Sequence, residues 1–316
     1  MNLDFSDIKV LVVGDFMLDH YIIGYSDRMS PEAPVPVLLP KEEYSVPGGA
    51  GNVALNLNSM GVQVSCIGVI GNDMAGKTLI ELLSNNGIDV SSFINVDKHQ
   101  TTLKKRIYCN KKQVLRIDKE KVLNSLYNEK INSLINNKIK DCDILILSDY
   151  NKGVLNEDTI SYAIKTANIP VIIDPKKKNF SVYGGATILT PNLKELRRAS
   201  NIMINNNDSI IQACNKLIEE NKLDYIVTTK GSEGITIVGE NFFKHINTTS
   251  INDADVTGAG DTAVSALSVA FAKTKNIEVA ASFANIVANI VVQKQGTSVA
   301  SMDQIKELIE KKKKDI

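Results

Sequence analysis

Residues 253–272 read DADVTGAGDTAVSALSVAFA, a glycine turn followed by a long run of small and apolar residues. Gly258 and Gly260 let the backbone come close to a ligand and turn its N–H groups outward. The helix predicted to follow presents the positive end of its dipole, which favours a phosphate. Asp261 falls in the first turn of that helix, beside any anion held there. Two negative charges repel, so a carboxylate in that place makes sense if it meets a hydroxyl that attacks the phosphorus. Phosphoryl transfer asks a protein mainly for positioning and charge stabilisation, and an aspartate that takes the hydroxyl proton is a recurring part. The plainer alternative is an aspartate that caps a helix after a glycine turn. The stretch alone leaves both open.

A second glycine stretch competes for the same role. Gly71–Thr78, GNDMAGKT, spells the phosphate-loop pattern of one glycine, four free residues and Gly-Lys-Thr. It follows an apolar run, VSCIGVI (64–70), and precedes the helix-like TLIELLSNN, which is the context that pattern requires. Further apolar runs at 8–14, 143–149, 169–174, 186–190 and 224–229 read as buried strands, with helical patterns between them. Such alternation predicts an α/β chain with a mostly parallel sheet and helices on both faces. Ligands of these sheets bind beyond the carboxyl ends of strands, a rule that picks out Asp15, Asp149, Asp174 and Asn192.

Two segments break the rhythm. Residues 19–46 and 100–118 alternate like antiparallel strands, the second with a turn at Asn110–Lys111. They are read as a small β-sheet lid, formed by about 16–46 and 98–118, over a single domain spanning 1–316. Its exposed face is an expected homodimer surface.

Composition narrows the partners. The 316 residues carry 36 basic and 36 acidic side chains, so no net field draws the chain to nucleic acid or an anionic membrane. Tryptophan is absent and aromatics make up 5%, which argues against a base-stacking platform. Cys66, Cys109, Cys142 and Cys214 are far apart with no CxxC pair, as expected of buried thiols in a reducing compartment. Three scattered histidines argue against a histidine-based zinc site. The N-terminus is unlike a signal peptide, and no apolar run is long enough to cross a bilayer. The expectation is a soluble, cytoplasmic α/β protein with small-molecule partners.

DVTGAGD (255–261) resembles the C-terminal signature of the ribokinase-like sugar kinases, with Val256 where a second threonine is usual. PGGAGNVALNLNSMG (47–61) resembles their N-terminal signature, and the resemblance runs from about Lys9 to Thr297. In that family residues 71–76 form a strand-to-helix turn that requires neither Lys77 nor Thr78. The phosphate-loop match then reads as a coincidence. Within the family the chain is similar to the kinases of D-glycero-β-D-manno-heptose 7-phosphate, through VVGDFMLDHY (12–21), MSPEAPVPV (29–37), TTLKKRI (101–107), LSDYNKG (147–153), IDPK (173–176) and LTPNLKE (189–195). Asn151 stands where glycine is common and Gly51 where alanine is common. The resemblance implies a ribokinase-like fold and ATP-dependent phosphorylation at the C1 hydroxyl, giving heptose 1,7-bisphosphate and ADP for lipopolysaccharide core precursors. Some members carry a fused nucleotidyltransferase domain; the expectation here is the stand-alone kinase.

The implied substrate is a polyhydroxylated sugar bearing a phosphate. Asp15 and Asp19 follow the first strand, and a carboxylate accepts several hydroxyl hydrogens; a strand-end turn is the plainer reading. Gly48, Gly49 and Asn52 form a close approach at a helix start, with an amide able to read hydroxyls. Glu32 would descend from the lid, although Pro31, Pro34 and Pro36 equally suit a blunted edge strand. Lys104 and Arg106, on one face of a strand, and Lys152 are candidates for the sugar phosphate. Arg116 and Lys176 lie in the same regions.

For ATP the resemblance points to Asn192, Leu193, Lys194 and Glu195. Asn192 and Glu195 sit at i and i+3, sharing a helix face, and in this family such a pair helps hold Mg²⁺ through its waters. Lys230 and Gly231 would line the nucleotide. Asn285 resembles a position beside adenine, while the stripe Phe283, Ile286, Ile290 reads as core. Asp255 and the 296–298 loop would hold K⁺, which family members often bind near the anion hole. Asp261 would deprotonate the anomeric hydroxyl while the amides of Gly258, Ala259 and Gly260 hold the developing charge.

Three rivals stand beside this reading. One is another ribokinase-like kinase, acting on a fructose phosphate, ribose or a nucleoside. Another is a phosphate-loop NTPase using Lys77 and Thr78, with Asp149 as its acidic metal partner. The last is a sugar or nucleotide sensor that kept the fold without the chemistry.

Overall fold

The computed structural model describes residues 3–248, 256–294 and 296–314. In chain order the elements are β1 (Lys9–Gly14), β2 (Phe16–Tyr25), β3 (Leu39–Gly49), α1 (Ala50–Ser59), β4 (Gln63–Ile67), β5 (Val69–Gly71), α2 (Met74–Asn85), β6 (Ile94–Val96), β7 (Thr102–Cys109), β8 (Lys112–Lys119) and α3 (Asn128–Lys138). There follow β9 (Ile144–Ser148), α4 (Glu157–Thr166), β10 (Val171–Asp174), β11 (Ile188–Leu189), α5 (Leu193–Ser200), α6 (Asn207–Asn221), β12 (Tyr225–Thr229), β13 (Ile235–Gly239), β14 (Phe242–Ile246), α7 (Ala259–Thr274), α8 (Ile277–Val291) and α9 (Met302–Lys314).

Eight strands form the main sheet in the order β14-β13-β12-β11-β10-β9-β1-β4. From β12 to β4 neighbouring strands run parallel, and only the β12–β13–β14 edge is antiparallel. The central strands are apolar throughout because both faces are covered. Val10, Val12, Ile144, Ile146, Ile172 and Ile188 face one side, against residues of α1, α7 and α8. Leu11, Val13, Leu145, Leu147, Ile173 and Leu189 face the other, against α3, α4 and α6. This is the helix-covered parallel sheet expected from the alternation of runs. No helix among the described residues is long and apolar enough to cross a membrane.

A separate four-stranded sheet, β3-β2-β7-β8, stands beside the main one. Asn110 and Lys111 both take positive φ, as a tight hairpin turn between β7 and β8 requires. Two details differ from the sequence expectation. β2 and β7 pair in parallel, from Met17↔Thr102 to Gly24↔Cys109, so the sheet is not wholly antiparallel. Alternation marks a strand but carries no information on its neighbour's direction. VSCIGVI is also not one strand: β4 joins the main sheet, while β5 pairs with β6 in a two-stranded sheet. The break falls at Gly68, where a Cβ would lie 2.4 Å from the Phe16 ring and 2.9 Å from that of Phe93.

Candidate active site

A cavity of about 120 Å³ lies beyond the carboxyl ends of β10, β11 and β12 and against the start of α7. Strand ends supply Asp174, Thr190 and Thr229; the start of α5 supplies Asn192 and Glu195; Tyr150 and Lys176 come from loops after β9 and β10. Gly258, Gly260 and Asp261 close it.

Gly258 is the N-cap of α7, with φ 76° and no side-chain cap. The position demands glycine twice over. Its φ is left-handed, and a Cβ there would meet Asn52 Nδ2 at 2.7 Å. With no side chain as cap, the helix start can accept an anion from outside. Asp261, in the first turn, is buried. Its Oδ2 accepts from Asn52 Nδ2 at 2.8 Å and its Oδ1 from the Tyr150 hydroxyl at 2.5 Å. Burial raises its pKa; the Tyr150 and Asn52 hydrogen bonds and the Lys176 charge pull it back, and Asp19 adds to the rise. Asn52 is itself oriented. Asn56 Nδ2 donates to Asn52 Oδ1, and Thr262 Oγ1 donates to Asn56 Oδ1, all within the buried face of α1 and α7.

Asp15, between β1 and β2, accepts from the backbone N–H groups of Tyr150, Lys152 and Val154. Its carboxylate therefore clips the loop that carries Tyr150. Burial pushes this carboxyl up to about 6 against those three donors. Asp19 on β2 pairs with Arg106 on β7 at 2.8 Å, both largely buried. Gly48 lets β3 pass beside them, since a Cβ there would touch Asp19 Oδ2 at 2.7 Å. Gly49 is the N-cap of α1 with φ 57°. Lys104 sits over the Tyr150 ring at 5.6 Å, and burial lowers its pKa while Asp19 opposes.

The other expected residues have the following places. Lys152 Nζ is bonded to Glu120, and Glu32 stands exposed between β2 and β3. Asn192 is the N-cap of α5 rather than a residue on its face. Its side chain accepts from Lys194 N and Glu195 N, and Glu195 Oε2 accepts from Asn192 N, a reciprocal capping box. The second Glu195 oxygen takes Lys176 Nζ at 2.6 Å. Leu193 packs on the core and Lys194 is exposed. Lys230 turns its ammonium to Asn207 Oδ1 at 2.9 Å and Glu233 at 3.3 Å, with 1% of its side chain exposed. Gly231 faces open space at φ 60°. Asn285 donates to Asn247 O, and Phe283 and Ile290 belong to the core. Asp255 lies outside the described residues. Asn151 takes φ 57°, a left-handed conformation asparagine tolerates, which explains how it stands where glycine is common.

The reading of single motifs missed two contributors, Tyr150 and Asn56. Tyr150 reaches Asp261 directly and Asn56 only by way of Asn52, contacts that the fold makes. Thr297 joins Tyr21 and Asp19 of the small sheet to the neighbourhood of Gly258. Tyr150 had one signal, its place two residues beyond a strand end. A second, apolar slot adjoins the cavity between β12, β13, α7 and α8, lined by Val227, Ile235, Ala263, Val264, Leu267 and Ala284.

The rival phosphate loop is closed. Asp73 is the N-cap of α2, and its Oδ1 takes the Gly76 N–H at 2.9 Å, a donor that a phosphate loop would turn to its ligand. Its Oδ2 takes Thr101 N, and Lys77 is exposed.

A mostly parallel sheet whose strand ends face an uncapped glycine turn and a buried aspartate is the arrangement that the resemblance to ribokinase-like phosphotransferases implies. The profile of the pfkB family carbohydrate kinases matches residues 7–304, and the chain belongs to that family: it is a kinase that transfers phosphate to a sugar hydroxyl. It is 40% identical over 301 residues to "Bifunctional protein HldE" of a Nitratiruptor species, covering 95% of this chain and 64% of the relative. It is 42% identical over 306 residues to the protein of that name from Aliarcobacter butzleri, with 95% and 64% covered. The chain thus spans about 64% of the length of these curated relatives. Among solved structures, ribokinase from Thermotoga maritima superposes with TM-score 0.76 at 23% identity, covering 96% of this chain and 99% of that one. Phosphofructokinase-2 from Escherichia coli, solved in complex with potassium, superposes with TM-score 0.78 at 20% identity, covering 96% and 98%. These two likenesses speak for the fold.

Proposed function

We propose that the protein phosphorylates the C1 hydroxyl of D-glycero-β-D-manno-heptose 7-phosphate with ATP, giving heptose 1,7-bisphosphate and ADP for lipopolysaccharide core precursors. The observation that carries it is the position of Asp261. Its buried carboxylate sits in the first turn of an uncapped helix start, suited to the transferred phosphoryl group, and accepts from Tyr150, whose ring carries Lys104 of β7, a cation suited to the sugar's own phosphate. Similarity to the HldE proteins and the motif set of the heptose 7-phosphate kinases supports the choice of sugar.

Asp261 orients the anomeric hydroxyl and takes its proton as the oxygen attacks the γ-phosphorus. Its carboxylate already accepts from Tyr150 and Asn52, one bond on each oxygen, and the lone pairs left over have room for that hydroxyl. The amides around Gly258–Gly260 receive the charge that develops. Lys104 and Arg106 hold the 7-phosphate, Arg106 exchanging its Asp19 partner for the ligand or sharing it. The apolar slot takes the adenine. The small sheet acts as a lid that keeps water from the γ-phosphate.

The donor set also suits Mg²⁺. Burial drives the Asp174 carboxyl well above its usual range; Lys176 opposes, while Asp261, Glu195 and Asp149 add to the rise. Bringing in a divalent cation would relieve that repulsion. No group of three or more His, Cys, Asp or Glu among the described residues encloses a metal. Asp174, Asn192 and Glu195 line the cavity together, a sparse oxygen set that suits an ion keeping most of its waters. When bound, it would neutralise charge on the triphosphate. The Ser298 hydroxyl is buried without a hydrogen-bond partner among the described residues, which suits a monovalent cation at the 296–298 loop. Val114, Leu115 and Ile117 are exposed together on β8 and suit a homodimer through the small sheet.

The test is ADP release with Mg-ATP and each of heptose 7-phosphate, fructose 6-phosphate, fructose 1-phosphate and ribose. The highest kcat/KM is expected on the heptose. Preference for another sugar would keep the kinase and overturn the heptose assignment.

A further inference from the structure

Tyr150 lines the same cavity as Asp261 and touches its carboxylate. Its hydroxyl donates to Asp261 Oδ1 at 2.5 Å. Lys104 and Lys176 both sit over its ring, at 5.6 Å and 5.4 Å from the centroid. Its backbone N–H is fixed by Asp15 at 2.9 Å. A surface tyrosine would swing freely; this one is held at its backbone, its ring and its hydroxyl together.

We propose that Tyr150 is a positioning residue for phosphoryl transfer, its hydroxyl holding the Asp261 carboxylate in the orientation that accepts the sugar's proton. The proposal rests on Asp261 being the base. The plane of an aspartate carboxylate turns about the Cβ–Cγ bond, a soft torsion that a partner on one oxygen alone constrains less than partners on both. Asn52 fixes Oδ2 and Tyr150 fixes Oδ1, so the carboxyl plane is set from both edges. The remaining acceptor sites are then left for the cavity. A reacting group placed within a fraction of an ångström is worth orders of magnitude in rate.

The hydroxyl also governs which form of Asp261 is present. Burial favours the protonated acid, which cannot take a proton. The charged and titratable groups facing Asp261 are Tyr150 from the loop after β9, Lys176 and Asp174 from β10 and its loop, and Asp19 from β2. The two aspartates push toward the acid. Lys176 pushes toward the carboxylate, as do the hydrogen bonds from Tyr150 and the neutral Asn52. Burial moves the Tyr150 phenol well above its ordinary value, so it stays a donor across the working range. Removing the hydroxyl withdraws one of the stabilisers of the ionised base.

The experiment compares the pH profiles of kcat/KM for the wild type, Tyr150→Phe and Asp261→Asn. Phenylalanine keeps the ring beside Lys104 and Lys176, and thermal melting checks that the variant is folded. Tyr150→Phe is expected to lower kcat about tenfold with KM changed less than about twofold. The acidic limb of its profile should move to higher pH by about one unit, because a donor to the ionised form has gone. If the Phe variant melts early, 3-fluorotyrosine at position 150, a stronger donor, should move the limb to lower pH instead. A limb that stays in place in both variants, or a rise in KM at unchanged kcat, overturns the positioning role. Activity surviving in Asp261→Asn would instead overturn the base assignment on which it rests.

Discussion

Among the helices that begin after a glycine turn, α2 and α7 have been finished in opposite ways. At α2, Asp73 folds back and gives its carboxylate to the Gly76 N–H, so the helix start is satisfied from within. At α7, Gly258 stands where that side chain would be and leaves the start without a side-chain cap. The charged residue of α7 sits three positions later, at Asp261, inside the first turn and lining the cavity. A capped start is a structural device; an uncapped one beside a buried base is a place for an anion and its acceptor. The motif that matches a phosphate loop letter by letter is thus the one whose anion position the protein already fills.

Breaking the α7 side should cost most. Asp261→Asn keeps the size and the hydrogen bond from Tyr150 but cannot take a proton, and kcat should fall about a thousandfold in steady-state ADP release. Gly258→Ala comes next. It adds left-handed strain of about 1–2 kcal/mol and drives a Cβ against Asn52 Nδ2, whose distance of 2.7 Å leaves no room. A loss of about a hundredfold in kcat is expected, from a base displaced and an anion site distorted; an unchanged kcat would remove the close approach from the account. Lys104→Met, measured against phosphosugar concentration, should raise KM about tenfold and spare kcat, because it removes ground-state binding. On the α2 side the effect should be small and of another kind. Asp73→Ala should lower stability by about 1 kcal/mol through a lost cap, read as a melting shift of a few degrees, with kcat close to that of the wild type.

The strand ends were legible because the central runs are apolar on both faces and each stops at a polar residue. Asp15, Asp149, Asp174 and Asn192 could be found that way, and the Asp261 turn by its glycines. What those carboxylates touch could not. Asn52 reaches Asp261 from α1 and Tyr150 reaches it from the loop after β9, contacts made by the fold and not by spacing. Lys230 shows the same limit from the other side, since a long side chain at a strand end can turn away, here to Asn207. The split of VSCIGVI hides for a similar reason: Gly68 yields to Phe16 and Phe93, rings that arrive from distant segments. The parallel pairing of β2 with β7 is equally invisible to alternation.

The most direct measurement is ADP release from Mg-ATP and heptose 7-phosphate by Asp261→Asn and Lys77→Ala side by side. Chemistry at the α7 start predicts that Asp261→Asn is nearly inactive while Lys77→Ala turns over like the wild type. Loss in Lys77→Ala with Asp261→Asn still active would contradict it and return the phosphates to Gly71–Thr78.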